Sequence, residues 1–112
     1  MFKLKANDTF NWPVKAKVPK DGKFETVKFE AVFKVLPQAE IMGLMSDDPE
    51  GGALRVLDAA LISFSGIDVE DDDGDPVTDP DERKAILFKY PFFVSGVSDA
   101  FAAGNSGHRS KN

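Results

Sequence analysis

The chain has 112 residues, 42% of them hydrophobic, with ten Phe against one Trp and one Tyr, no cysteine, and a formal net charge of −5. That length suits one domain around one Phe-based core, and the lack of cysteine excludes a disulfide framework and thiolate chemistry. No apolar run approaches the ~20 residues that span a bilayer, and the opening Met-Phe-Lys-Leu-Lys-Ala-Asn-Asp lacks the apolar centre of a signal peptide, so a soluble, intracellular protein is expected.

Phe2 and Leu4 alternate with Lys3 and Lys5, as in a short strand with one wet face, and Asn7-Asp8 suits a turn. Val14, Ala16 and Val18 then alternate with Lys15 and Lys17, which predicts a strand. Pro19-Lys20-Asp21-Gly22-Lys23 carries turn chemistry, and Phe24 to Val35 alternates again, with Val27, Phe29, Ala31, Phe33 and Val35 on one face. Together these predict an antiparallel β-hairpin with a slightly long loop. Leu36-Pro37 ends the second strand, and Gln38 to Met45 has helical spacing in Ile41, Leu44 and Met45.

Ser46 to Gly52 reads as a polar loop. Leu54, Leu57, Leu61 and Phe64 then recur every three or four residues, which predicts the main core helix, with Gly66 as its C-terminal cap. Ile67 and Val69 lead into a tight turn at Asp73-Gly74 and a short return at Pro76-Val77. Asp79 suits an N-cap, Pro80 the first helical position and Glu82 the capping-box position, so a helix is expected to about Lys89. Tyr90-Pro91 breaks it. A last helix is expected over Phe92 to Ala103, weakened by Gly96, with residues 104–112 a disordered polar tail. The whole reads as a single α+β domain over residues 1–103: an N-terminal antiparallel hairpin or small sheet followed by three to four short helices.

Charge is segregated along this order. Residues 1–35 carry a net +4, residues 36–82 a net −13 and residues 83–112 a net +4. An acidic middle between mildly basic ends disfavours a nucleic-acid binder, which needs a basic face for phosphates. It permits pairing with a protein partner or between copies, alongside the simpler role of a solvated surface.

Catalytic and cofactor chemistry finds few suppliers. Nine of the fifteen residues from Asp68 to Glu82 are acidic. With Gly74 at the sixth position of a calcium loop, however, Val69 and Pro80 would fall where side-chain oxygens are required, which excludes an EF-hand. Weak divalent binding by these carboxylates, in a divalent-ion-responsive regulator, stays open beside the solvated-turn reading. The single histidine, His108, lies in the expected tail, so no His-based triad or metal site is expected. The nine glycines complete no phosphate-binding pattern, and no cofactor or enzymatic site is expected. A Phe stripe at helical spacing is ordinarily core. Trp12, Phe92, Phe93 and Phe101 are the weak candidates for a partner surface.

Four features together resemble the tail assembly chaperones of long-tailed bacteriophages and prophages. A Lys-rich start, Phe-Lys-Leu-Lys-Ala-Asn, is followed by Trp12-Pro13-Val14 leading into the hairpin. Phe29-Glu-Ala-Val-Phe-Lys-Val-Leu-Pro37 resembles a strand-to-helix junction recurrent in that family. Phe64-Ser-Gly66-Ile-Asp-Val-Glu-Asp-Asp-Asp-Gly74-Asp-Pro76-Val77 resembles a signature of aromatic, any residue, Gly, apolar, then acids, Gly and a short apolar return. An acid-capped helix, a Tyr-Pro step and a final helix with spaced aromatics complete the order. The family's aromatic before the signature Gly is often Trp, and here it is Phe64.

The resemblance implies a protein without a catalytic site that acts in the host cytoplasm and is absent from the mature virion. It would bind the tape measure protein, keep that long helical partner soluble, and help recruit tail tube subunits. Many members are also made in a longer, frameshifted form. The alternative is a structural head–tail connector or tail tube accessory protein of the virion. Self-association, with acidic middle against basic ends, is a further expectation.

Overall fold

The computed structural model describes residues 2–5 and 8–107. Its elements run β1 (Thr9–Lys20), β2 (Lys23–Lys34), α1 (Gln38–Asp47), α2 (Gly52–Ala60), β3 (Leu61–Ser65), α3 (Pro80–Leu87) and α4 (Pro91–Ser106). The three strands form one antiparallel sheet in the order β1-β2-β3, which makes the fold α+β with an N-terminal hairpin. Among the described residues no helix is long and apolar enough to cross a membrane.

The hairpin is tighter than its sequence suggested. Asp21 (φ 49°) and Gly22 (φ 81°) both take the left-handed conformation, giving a two-residue turn whose twist matches the flanking strands. The ladder therefore closes at Lys20↔Lys23, and Pro19 sits opposite Phe24 inside it. Pro13 and Pro19 are tolerated because β1 is an edge strand, where a missing N–H need not break a pairing.

Phe2 to Lys5, expected as a strand, form none, and Phe2 and Leu4 are more than four-fifths exposed. Of the expected Asn7-Asp8 turn, Asn7 lies outside the described residues, while the Asp8 carbonyl accepts the Val35 N–H at 2.8 Å.

The larger correction concerns the expected helix from Leu54 to Phe64. It ends at Ala60, and Leu61–Ser65 becomes the third strand. The two readings share their buried residues. Leu61 opposes Phe33 and Phe64 opposes Ala31, but between them the register slips, leaving Ile62 as an extra, exposed residue. That bulge sets the inward-facing Leu61 and Phe64 three residues apart, a spacing that imitates helical periodicity. Gly66, expected as a helix cap, instead leaves the strand at φ 104° beside Phe29, where a Cβ would lie 3.3 Å from the Phe29 Cβ.

The helices lie on one face of the sheet and bury a Phe-rich core. Phe33 sits 5.5 Å from Phe101 and Phe29 5.7 Å from Phe64, ring centre to ring centre. Val14, Leu36, Leu61, Leu87 and Val97 fill the space around them. α4 packs on β1 through small residues, Gly96, Ala100 and Gly104. A Cβ at Gly96 would stand 2.8 Å from the Lys15 carbonyl oxygen, so this glycine permits close approach rather than merely weakening the helix.

α4 also runs past its expected end. Residues 104–106 are helical, and Gly107 stops the helix at φ 75°. The Asn105 amide accepts the Leu36 N–H at 3.0 Å and donates to the Leu36 carbonyl at 3.1 Å, pairing the end of α4 with the exit of β2. His108 and the rest of the expected polar tail lie outside the described residues.

Candidate partner-binding surface

The four aromatic candidates separate into two groups. Phe101 is 5% exposed and packs between Phe10 and Phe33, so it belongs to the core and not to a surface. Trp12 is half-buried on β1, with its ring edge-on to Phe10 at 6.3 Å, on the same side of the molecule as Phe101. Phe92 and Phe93 lie elsewhere. Their rings are 4.8 Å apart, and Phe93 anchors against Phe29 while Phe92 tilts against Tyr90 at 5.6 Å. Tyr90 is 45% exposed, so the step from α3 to α4 is an aromatic corner with one side in the core and one in water.

Beside this corner an open cleft of about 490 Å³ lies between α2 and the start of α4. Ala53, Leu54, Phe88, Pro91 and Val94 supply its apolar lining, and Glu50, Lys89, Ser95, Ser98 and Asp99 its polar lining. Leu54, which its spacing assigns to the core stripe, is 43% exposed. α2 turns Val56, Leu57 and Ala60 inward instead, leaving Leu54 on the cleft side. Pro91 at the first turn of α4 fixes how the helix leaves the corner and so places Val94 in the cleft.

Next to α2, α1 buries no residue fully. Ile41 and Leu44 turn partly toward the core, while Met42 and Met45 are 59% and 44% exposed. The two helices touch closely at Gly52, where a Cβ would stand 2.7 Å from the Met45 Cα. Unbranched thioether side chains on such a surface can repack against different apolar partners. A short Asp48–Arg55 ion pair at 3.1 Å ties the loop between these helices, and Asp48 also accepts the Gly51 N–H.

The acidic loop is built as expected around its turn, with Gly74 at φ 81°. Val77 donates to Val69 and Asp71 to Asp75, both at 2.9 Å, while the Asp71 carboxylate accepts the Asp73 and Asp75 N–H groups at 2.9 Å. Asp71, Asp73 and Asp75 are exposed and can bring one oxygen each within 4.8 Å of the others. The hydrogen bonds of Asp71 order this turn through the protein's own backbone donors.

Arg83, which the sequence did not single out, locks both ends of that loop. Its guanidinium lies 4.5 Å over the Phe64 ring and donates to the carbonyls of Ile67 (3.2 Å), Phe64 (3.3 Å) and Val77 (3.4 Å). Lys84 donates to the Leu61 and Asp58 carbonyls and pairs with the Asp58 carboxylate at 3.3 Å. The two side chains thus occupy carbonyls of β3, which closes that edge of the sheet to a further strand. Both cations are placed by α3, whose start is fixed by Asp79 accepting the Glu82 N–H at 3.0 Å.

Comparison with known proteins adds no relative: no family model, curated protein or solved structure matches this chain.

Proposed function

We propose that this chain is a tail assembly chaperone of the long-tailed bacteriophage type, which binds the tape measure protein and helps recruit tail tube subunits. The observation that carries the reading is the open apolar cleft lined by exposed Leu54 and Pro91 and half-buried Phe88 and Val94, beside Tyr90 and Phe92. Its position between two helices suits a partner helix laid in a groove, anchored by apolar residues at spacings of three and four. A tape measure protein offers such helices before the tube closes around it. With Glu50 and Asp99 against one Lys89, the rim is slightly acidic, which favours a partner segment with basic residues beside its apolar stripe. The sequence resemblance, which includes the Phe64–Val77 signature and the acid-capped helix after it, supports the same role.

On this reading the host cytoplasm is the working compartment and the mature virion lacks the chain. The test is co-expression with a tape measure protein and a tail tube protein, followed by affinity capture of this chain. Capture of the tape measure protein by wild type, with loss on Leu54→Glu, is the expected result. Capture of tube or connector subunits alone, unaffected by Leu54→Glu, would overturn it in favour of a structural virion component.

A further inference from the structure

The edges of the sheet differ in what they leave unpaired. At the open end of the hairpin the Val35 N–H donates to the Asp8 carbonyl at 2.8 Å, so these two residues form a hydrogen-bonded pair. Such pairs alternate along an antiparallel ladder, and the alternation arrives in step at Lys20↔Lys23, which closes the two-residue turn. Even-numbered residues of β1 and odd-numbered residues of β2 therefore bond to each other. The others aim their N–H and C=O groups away from the hairpin's own ladder.

On β1 that outward set includes Pro13 and Pro19, which have no N–H to offer a further strand. On β3 the Phe64 and Leu61 carbonyls are held by Arg83 and Lys84. β2 alone keeps an open stretch, because β3 pairs with it only at residues 30–33. The next bonds of that ladder would join Lys28 to Ile67. Instead the chain turns away at Gly66 (φ 104°), and Arg83 holds the Ile67 carbonyl at 3.2 Å. Phe24, Thr26 and Lys28 are exposed, and among the described residues no turn, loop or side chain bonds their backbone groups.

This stretch of β2 contains no proline and runs about 17 Å at ~3.4 Å per residue. Its charge is one-sided. Lys28 stands opposite Lys15, Lys17 is one pair nearer the tip, and among the described residues none of the three makes an ion pair. The nearby Glu25 lies on the other face and is paired with Lys20 at 3.8 Å.

We propose that this open edge of β2 takes an extended acidic segment of a partner protein as an added strand. Backbone pairing with Phe24, Thr26 and Lys28 supplies affinity, and acids at alternate positions of the segment face Lys28, Lys15 and Lys17. Donors and acceptors spaced in strand register match a second polypeptide. A phosphodiester backbone has no N–H for the three carbonyls, so the geometry favours a peptide over nucleic acid. The site lies apart from the cleft's partner helix, and neither reading depends on the other.

NMR of the full isotope-labelled chain tests it. In the free protein the Phe24, Thr26 and Lys28 amides should exchange with solvent at least ~10-fold faster than those of Glu25 and Val27. A blocked peptide of about seven residues alternating glutamate and valine should protect those fast amides, with a dissociation constant of about 10–500 µM. Replacing its glutamates by lysine, N-methylating its edge-facing amides, or Lys28→Glu in the protein should each weaken binding at least ~10-fold. Thr26→Pro should abolish binding and keep the fold, because the N–H it removes points away from β1. Equal exchange of all five amides, no binding at ~1 mM peptide, or shifts confined to the cleft would overturn the proposal. So would binding indifferent to Thr26→Pro or to N-methylation. An oligonucleotide that binds these amides more tightly than the peptide would overturn it in favour of nucleic acid. Protection in the free chain that grows with its concentration would make a second copy the occupant instead.

Discussion

Replacing Arg83 with Met should loosen the acidic loop and lower global stability, because one side chain holds three carbonyls and an aromatic face. Methionine keeps an apolar stem over Phe64 and removes only the charge and the donors. Each charged hydrogen bond could contribute about 1.5–3 kcal/mol in good geometry. At 3.2–3.4 Å, at or beyond the long end for such bonds, and only part-buried, each falls to about 0.5 kcal/mol, or about 1.5–2 kcal/mol for the three. Adding about 0.5–1 kcal/mol for the contact with the ring gives an expected loss of about 2–3 kcal/mol. At ~4 °C per kcal/mol for a domain of this size, the melting temperature should fall by roughly 8–12 °C. Arg83→Lys keeps the charge but cannot fork across three carbonyls, so it should recover roughly half. Urea unfolding followed by circular dichroism measures both, and hydrogen exchange should show faster amides between residues 67 and 77 in Arg83→Met. A loss below about 0.5 kcal/mol, or a lysine variant as stable as wild type, would refute the assignment of Arg83 as the clamp.

Other consequences follow from close contacts elsewhere. Gly96→Ala should destabilise by about 1–3 kcal/mol in urea titration, since the overpacking against the Lys15 carbonyl exceeds the ~1 kcal/mol that alanine gains in helix propensity; a stabilised variant would contradict the packing of α4 on β1. Asn105→Ala should cost about 1–2 kcal/mol by the same measurement, for the loss of its two bonds to Leu36. Millimolar calcium should leave the melting temperature within about 1 °C of the metal-free value, because stabilisation requires binding to the native state. A larger rise would make the Asp71–Asp73–Asp75 cluster a cation site.

Much of this fold can be read from local pattern. Alternation from Val14 to Val18 and, with Val32 as an exception, from Phe24 to Val35 specifies the hairpin, and the Asp79-Pro80-Glu82 start of α3 is written in side chains that act within one turn. Where the sequence misleads, the deciding interaction is distant. Leu61 and Phe64 show helical spacing, yet the free edge of β2 recruits them as a strand and Ile62 absorbs the mismatch as a bulge. Gly96 looks like a weak point in a helix until the Lys15 backbone is placed against it. The end of α4 looks like the start of a polar tail, but Asn105 finds its partner 69 residues away.

The proposed partner surface was only half legible for the same reason. Phe92 and Phe93 mark the aromatic corner in sequence, but which Phe faces the core depends on Phe29 and Phe101 meeting other elements. Leu54, Phe88 and Val94 come from three helices or their ends, and no local signal joins them. Arg83 carries no sequence mark beyond its place in the second half of an acidic helix start.

Hydrogen exchange on this chain with and without a co-expressed tape measure protein tests the central claim most directly. The account predicts added protection at residues 50–57 and 88–99, the walls of the cleft, with the inner hairpin strand unchanged. A complex that protects the hairpin and leaves the cleft unprotected, or no complex at all, would contradict it.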